Sequence, residues 1–185
     1  MKTKQHLAWV DIETTGLNPE HDRILEVALV ITDTDLTEVA HLTRVLFTEN
    51  VVLETMDSWC VDMHAKNGLS AACRESTVTR PAAERDLSDL LRAYTVKSGS
   101  PLCGASPHFD RSFLSRQMPT LAAWFHYRNL DVSSVRQIVS LWYPERLMLP
   151  TTVRHRALDD IRGSIAELKH YRQALGLSAL DREAA

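Results

Sequence analysis

Cysteine is scarce in this chain of 185 residues. Cys60, Cys73 and Cys103 form an odd set with no Cys-x-x-Cys spacing, which argues against a disulfide framework or a cysteine-built zinc site and suits a reducing cytoplasm. With only 6 Gly and 7 Pro, collagenous or linker-rich architecture is excluded. No apolar run approaches the roughly 18 residues that a membrane helix needs. Met1–His6 leads straight toward a strand rather than into a signal-peptide core. A basic excess is also missing: 21 Lys and Arg stand against 24 Asp and Glu, for a net charge of -3. Proteins that grip a long duplex usually carry a strong positive balance. A chain with this balance that handles nucleic acid is expected to hold a short piece through local contacts.

What is present is ordinary globular material, 44% hydrophobic and 24% charged, and long enough to bury a full core. The expectation is one domain over residues 1–176, with 177–185 a weakly ordered tail. Leu7-Ala8-Trp9-Val10, Ile24–Ile31 and Glu38–Phe47 read as three strands with short polar connections, an antiparallel meander. Val51–Gly68 holds Met56, Trp59, Val61 and Met63 at mixed spacing, predicting short helices. Pro81 opens a helix to about Thr95 with Leu87, Leu90, Leu91 and Tyr94 on its stripe. Strand–helix alternation follows: a strand over Pro101–Ala105, a helix from Ser106-Pro107, a strand over Tyr127–Asp131, and a helix over Val132–Trp142. That helix is expected to turn Val135, Ile138, Val139 and Trp142 inward. The last helix runs from Ala157 to about Leu175, and Gly176 is its stop. Three leading strands followed by strand–helix units predict an α/β fold on a mixed sheet.

Two stretches carry chemistry. In Trp9-Val10-Asp11-Ile12-Glu13-Thr14-Thr15-Gly16-Leu17, a buried strand ends on two carboxylates that point the same way because strand side chains alternate. Gly16 is expected to take a backbone conformation that other residues avoid. Like charges on one face repel and stay ionised most easily around a cation, and hard ions such as Mg²⁺ and Mn²⁺ favour oxygen ligands. The second stretch is His155-Arg156-Ala157-Leu158-Asp159-Asp160 at a loop-to-helix junction. An imidazole there, with an ordinary pKa of about 6.5, is suited to accept a proton near neutral pH. Alone, each stretch is equally compatible with a solvated strand end and with acidic residues favouring a helix N-terminus.

Taken together, Asp11-x-Glu13, Asp110 after a strand, and His155 with Asp160 stand in the order of the DEDDh exonucleases, and the chain resembles the oligoribonuclease branch of that family. The resemblance runs from about Leu7 to Leu175. It includes Met56-Asp57-Ser58-Trp59, His64, Phe125-His126-Tyr127-Arg128, Leu130-Asp131-Val132-Ser133 and His155–Arg162. It implies a ribonuclease H-like fold and 3′→5′ exonuclease activity with two divalent metal ions, Mg²⁺ or Mn²⁺. By that resemblance Asp11, Glu13, Asp110 and Asp160 are the metal ligands and His155 takes the proton from the attacking water. The family spacing selects Asp160 over Asp159, leaving Asp159 an exposed charge.

The resemblance further implies a pocket. Leu17 would be an apolar wedge on the terminal bases, Trp59 and His64 would enclose the 3′ nucleotide, and Ser106, Arg128 and Ser133 would cap a 5′ phosphate. An aromatic face stacks on any base, and an Arg fork grips phosphate directionally. It also implies a homodimer in which Tyr127 and Arg128 serve the neighbour's site. Thr14, the Ala105–Phe109 segment and Asn129 depart from the residues usual in oligoribonucleases, but none occupies a catalytic position. The expected function is cytoplasmic degradation of short single-stranded RNA, 5′-phosphorylated dinucleotides above all. The alternatives are a DEDDh exonuclease acting on longer RNA or DNA ends, and a non-catalytic nucleic-acid-binding subunit that keeps the fold.

Overall fold

One strand with two destinations for its side chains sets the architecture. In the computed structural model, which describes residues 5–145, 148–149 and 155–176, strand β1 spans Leu7–Thr14. Its Ala8, Val10 and Ile12 enter one core and Trp9 another, as a period of two requires. The expected tail, the first four residues and much of the expected loop before His155 lie outside the described residues.

Strand β2 (Ile24–Thr32) runs antiparallel to β1, with Trp9 opposite Val30 and Glu13 opposite Glu26. Strand β3 (Glu38–Val45) runs antiparallel to β2. Every residue of β2 is buried, which explains an apolar run without alternation: this strand is covered on both faces. Three short helices follow, α1 (Asn50–Leu53), α2 (Ser58–Lys66) and α3 (Leu69–Glu75). They pack Leu53, Met56, Cys60, Leu69 and Cys73 around Leu25.

The chain continues through α4 (Arg80–Tyr94), β4 (Leu102–Gly104), α5 (His108–Gln117), α6 (Pro119–Ala122), β5 (Asn129–Asp131), α7 (Val132–Trp142) and α8 (Ala157–Ala174). Strand β4 lies parallel to β1, and β5 parallel to β4. The sheet order is β3-β2-β1-β4-β5, the mixed sheet expected from a meander followed by strand–helix units. Among the described residues no helix is long and apolar enough to cross a membrane.

Two layers of side chains clamp the sheet. On one face Val10, Ile12, Leu29 and Ile31 meet Leu87 and Leu91 of α4 and Phe113 and Leu114 of α5. On the other, Trp9, Val30 and Cys103 meet Val132 of α7 and Ala157, Ile161 and Ile165 of α8. The alternation in β1 therefore sends Asp11 and Glu13 toward the α8 side, where Trp9 already lies.

Several local expectations are corrected. Helix α7 buries Val132 and Val139, but Ile138 is 40% exposed and Trp142 74% exposed. It follows β5, which ends the sheet, and among the described residues no further strand lies beyond it to cover its outer side. In α4 the buried stripe is Ala83, Leu87 and Leu91, while Tyr94 at the helix end is exposed. Gly16 does not adopt a positive φ; its need is steric, because an added Cβ would lie 2.6 Å from Asp22 Oδ2. Gly176 takes φ +65 and ends α8 as expected.

Phe113 is fully buried between α5 and the sheet. Its replacement by alanine is expected to cost about 3–5 kcal/mol, read as a lowered urea midpoint at unchanged m-value. A midpoint shift equivalent to less than about 1 kcal/mol would contradict this packing.

Candidate active site

The site forms where three elements bring carboxylates to one end of β1. Asp11 and Glu13 arrive by strand alternation. Asp110 arrives from the first turn of α5, directly after β4, the parallel neighbour of β1. Its Oδ1 accepts the Ile12 N–H at 3.1 Å, which fastens α5 to β1 between the two strand carboxylates. Gly104 permits this junction, since an added Cβ would lie 3.0 Å from the Val10 carbonyl. Asp160 arrives from the first turn of α8, and His155 stands just before that helix. Glu13, His155 and Asp160 each offer a ligand atom within 4.8 Å of the others. Asp159 is exposed, as expected.

Gathering these charges raises their proton affinities. Burial pushes Glu13 up to about 8, helped by Asp160 and Glu26 and opposed by Arg156. Burial likewise pushes Asp110 up to about 7, against the hydrogen bond from Ile12. Asp11 is held well above the usual carboxylate range by burial first and then by Asp110, Glu13 and Asp160. Asp11, Glu13, Asp110 and Asp160 form an oxygen-rich donor set with one imidazole beside it. It fits hard divalent cations, whose charge would relieve the repulsion.

Around this centre the structure sorts the remaining expected residues. Leu17 is 81% exposed and Trp59 60% exposed. Trp59 meets the His155 ring edge-on at 5.4 Å. Asp57 caps α2 through the Cys60 N–H at 2.9 Å, which fixes the first turn carrying Trp59. His64 differs: it is fully buried, and its Nε2 donates to the Thr14 carbonyl at 3.0 Å. It braces the end of β1 from behind rather than lining open space.

The Ser106 and Ser133 hydroxyls meet at 3.1 Å. Asp131 Oδ1 organises both, accepting the Ser106 and Ser133 N–H groups at 2.9 Å each. Arg128 does not join them; its guanidinium lies over the Tyr127 ring at 5.4 Å, and both residues are exposed.

Sequence reasoning missed several supporting residues. Arg111 donates to the His126 and Arg128 carbonyls and to Asn129 Oδ1, holding the segment that presents Tyr127. Asp22 accepts from Thr15 Oγ1 and the Asn18 N–H, shaping the turn that exposes Leu17. Glu26, a charged residue inside an apolar run, is a visible signal of a buried ion pair that sequence reasoning passed over.

Comparison with known proteins adds a second line. The family model RNase_T, described as an exonuclease, matches residues 8–168. The chain is similar to the oligoribonuclease of Dichelobacter nodosus, 44% identical over 176 residues that cover 95% of this chain and 97% of that one. It is also similar to the oligoribonuclease of Neisseria meningitidis, 41% identical over the full length of both. Among solved structures, exonuclease I from Methylocaldum szegediense superposes with a TM-score of 0.68 at 20% identity. Escherichia coli exonuclease I, solved with a dT13 oligonucleotide, gives 0.70 at 17% identity. These cover 91% and 94% of this chain but only 40% and 42% of theirs, and at such identity they speak for the fold alone.

The raised carboxylates give the metal-free protein a definite pH response. Between about pH 4, where unfolded carboxylates titrate, and about pH 7–8, where Asp110 and Glu13 titrate in the fold, the folded chain holds more protons than the unfolded one. This cluster therefore weakens the fold as pH rises through that window. A divalent cation displaces those protons, so its stabilisation should be greater at pH 8 than at pH 6. Thermal melts with chelator and with Mg²⁺ or Mn²⁺ at both pH values check this; a cation shift that ignores pH would contradict it.

Proposed function

The chain belongs to the RNase_T exonuclease family and is a metal-dependent 3′→5′ exoribonuclease acting on single-stranded nucleic acid; from that premise we propose that it degrades very short 5′-phosphorylated RNA, dinucleotides above all, to 5′-mononucleotides. The observation that carries the reading is the convergence of Glu13, His155 and Asp160 within 4.8 Å, on a strand end that also bears Asp11 and is fastened to Asp110. Residues 1–176 would act as one exonuclease domain. The free, buried cysteines fit work in the cytoplasm.

In this reading Asp11, Glu13, Asp110 and Asp160 would hold two divalent cations, Mg²⁺ or Mn²⁺. These would supply positive charge beside the oxygens on which negative charge develops during in-line displacement at phosphorus. His155 accepts the proton of the attacking water as the new P–O bond forms and the bond to the preceding O3′ breaks. Trp59, edge-on to His155, keeps that ring turned toward Glu13 and Asp160 and offers its exposed surface to the 3′ base. Leu17 wedges against the bases, and His64, fully buried, does not enclose the nucleotide but braces the Thr14 carbonyl at the end of β1.

The length limit would come from Ser106 and Ser133, whose paired hydroxyls form a wall suited to a terminal phosphate. Arg128 completes this cap together with Tyr127, both acting on the site of a partner subunit. Two features support a homodimer. Tyr127 and Arg128 are presented outward on a segment that Arg111 holds in place. Ile138, Leu141 and Trp142 also form an uncovered apolar face on α7, of the kind that marks an interface.

The catalytic assignment is tested on RNA of two to ten nucleotides, with metal and with chelator. Asp11→Ala and Asp160→Ala should abolish hydrolysis, and His155→Ala should lower the rate about 10²–10⁴-fold. Dinucleotides should turn over faster than heptamers, and loss of the 5′ phosphate should weaken dinucleotide binding. Equal rates across lengths would favour a general exonuclease, and a crippling Asp159→Ala beside a harmless Asp160→Ala would reverse the ligand assignment.

The dimer is tested by subunit exchange. Mixing Asp11→Ala protein with Arg128→Ala protein should restore part of the dinucleotide activity, because one mixed site joins an intact cluster to an intact partner segment. A fully active monomer would refute it.

A further inference from the structure

We propose that Glu26, Arg156 and Asn67 are positioning residues that together set His155 and Asp160 against Glu13. The starting observation is an anomaly in β2. All nine of its residues are buried, and Glu26 alone among them is charged, at 1% exposure. A carboxylate there is costly unless it is paired and hydrogen-bonded. Both its oxygens are engaged: Arg156 Nη2 donates to Oε1 at 2.8 Å, and Arg156 Nε donates to Oε2 at 3.0 Å. Oε2 also accepts the Ala157 N–H at 3.1 Å.

That last contact caps a helix from another element. Arg156 is the N-cap of α8, and its own side chain makes no capping bond. Glu26 supplies one from β2, so the start of α8 is fixed to the sheet. Glu26 stands directly opposite Glu13 in the β1–β2 register. The same fork that locates α8 therefore locates it relative to Glu13. Asp160 lies one turn on, its N–H donating to the Arg156 carbonyl at 3.0 Å.

His155 is held from the other side. Its φ of 53 is a left-handed conformation that non-glycine residues seldom take, and it persists only where the surroundings over-determine it. The Asn67 carboxamide donates to the His155 carbonyl, and Asn67 Oδ1 in turn accepts the Leu69 N–H at 3.0 Å. Asn67 ties the turn to the junction of α2 and α3; Arg156 ties the next residue to β2. With the His155 carbonyl held by Asn67 and the next residue held by Glu26, the backbone that carries the imidazole is fixed where the ring lies near Glu13 and Asp160. Glu26, at 1% exposure, acts through the residues it holds and not by touching substrate.

The inference rests on the reading that His155 and Asp160 serve hydrolysis, so the test includes both as controls. Glu26→Gln, Arg156→Lys, Arg156→Ala and Asn67→Ala would be compared with the unaltered full chain. Circular dichroism would confirm folding, kcat and KM would be measured on a 5′-phosphorylated dinucleotide, and Mn²⁺ binding to metal-free protein would be followed by calorimetry. Glu26→Gln and Arg156→Ala should weaken Mn²⁺ binding and lower kcat, each by about 10–100-fold, with KM within about twofold. Arg156→Lys, which keeps the charge but loses the fork, should recover part of both. The Glu26→Gln, Arg156→Ala pair should be no worse than the worse single change, because both remove one contact.

Asn67→Ala should lower kcat while leaving Mn²⁺ affinity closer to normal, since it holds His155 and not Asp160. If Arg156→Ala does not fold, Arg156→Lys and Asn67→Ala decide the matter. Folded variants with lowered melting temperature but unchanged kcat and Mn²⁺ affinity would overturn the proposal, provided His155→Ala and Asp160→Ala remain inactive. An active His155→Ala protein would overturn it by removing the reading beneath it.

Discussion

Carboxylates crowded into a space with little water repel one another, and the rest of this fold is arranged around that repulsion. At an effective dielectric of about 20, two unit charges 4 Å apart oppose each other by about 4 kcal/mol. Here burial raises the proton affinity of Asp11, Glu13 and Asp110, and neighbouring carboxylates raise that of Asp11 and Glu13 further. Such a cluster persists only if its elements are fixed by something stronger than the repulsion. Strand β1 is fixed by pairing on both edges, with β2 and with β4, and by a packed apolar layer on each face. A site that holds cations gains from this, because without them the cluster relieves its repulsion by taking up protons, and a cation displaces those protons.

The supports are polar as well as apolar, and each uses a different element. Asp110 is fastened to β1 by the Ile12 N–H, so one of the clustered carboxylates also stitches two elements together. Glu26 places a second carboxylate just behind Glu13, yet Arg156 binds it on both oxygens and lowers the proton affinity of Glu13 against the other neighbours. His64 braces Thr14 at the strand end. The centre is thus surrounded by groups that hold the backbone, and the side chains offered outward are apolar or aromatic: Leu17 and Trp59. That division suits a substrate bound by stacking without reading its bases.

A second region is built with equal care at the end of β4 and β5. Asp131 serves at once as the N-cap of α7 and as the acceptor for Ser106, bringing together a hydroxyl from the loop after β4 and one from the first turn of α7. Ser106 adopts a positive φ of 56 to reach it, a conformation retained where the surroundings over-determine it. Beyond this point α7 turns Leu141 and Trp142 to the outside. One helix therefore joins the serine pair to the uncovered apolar face.

By itself the sequence determined the strand carrying Asp11 and Glu13, because alternation with a period of two is local and survives in any fold. It determined the meander and the order of strands and helices, since turn residues and apolar periods are local as well. The likeness to a known family, spread over several motifs, identified Asp110, His155 and Asp160 as companions of that strand. What only the tertiary structure decided involves partners distant in the chain. Whether Ile138 and Trp142 face a core depends on which elements lie beyond β5, and periodicity carries no record of that. His64 has the composition of a pocket residue, but the packing of α2 against β1 buries it. Glu26 is a charge in an apolar run that sequence reasoning passed over, and its partner lies 130 positions away. The closing of β1 against β2, and of α8 against both, is what brings Arg156 to it. Gly16 shows the same limit on a small scale, since its lack of a side chain answers to Asp22 across a turn and not to its own backbone angles.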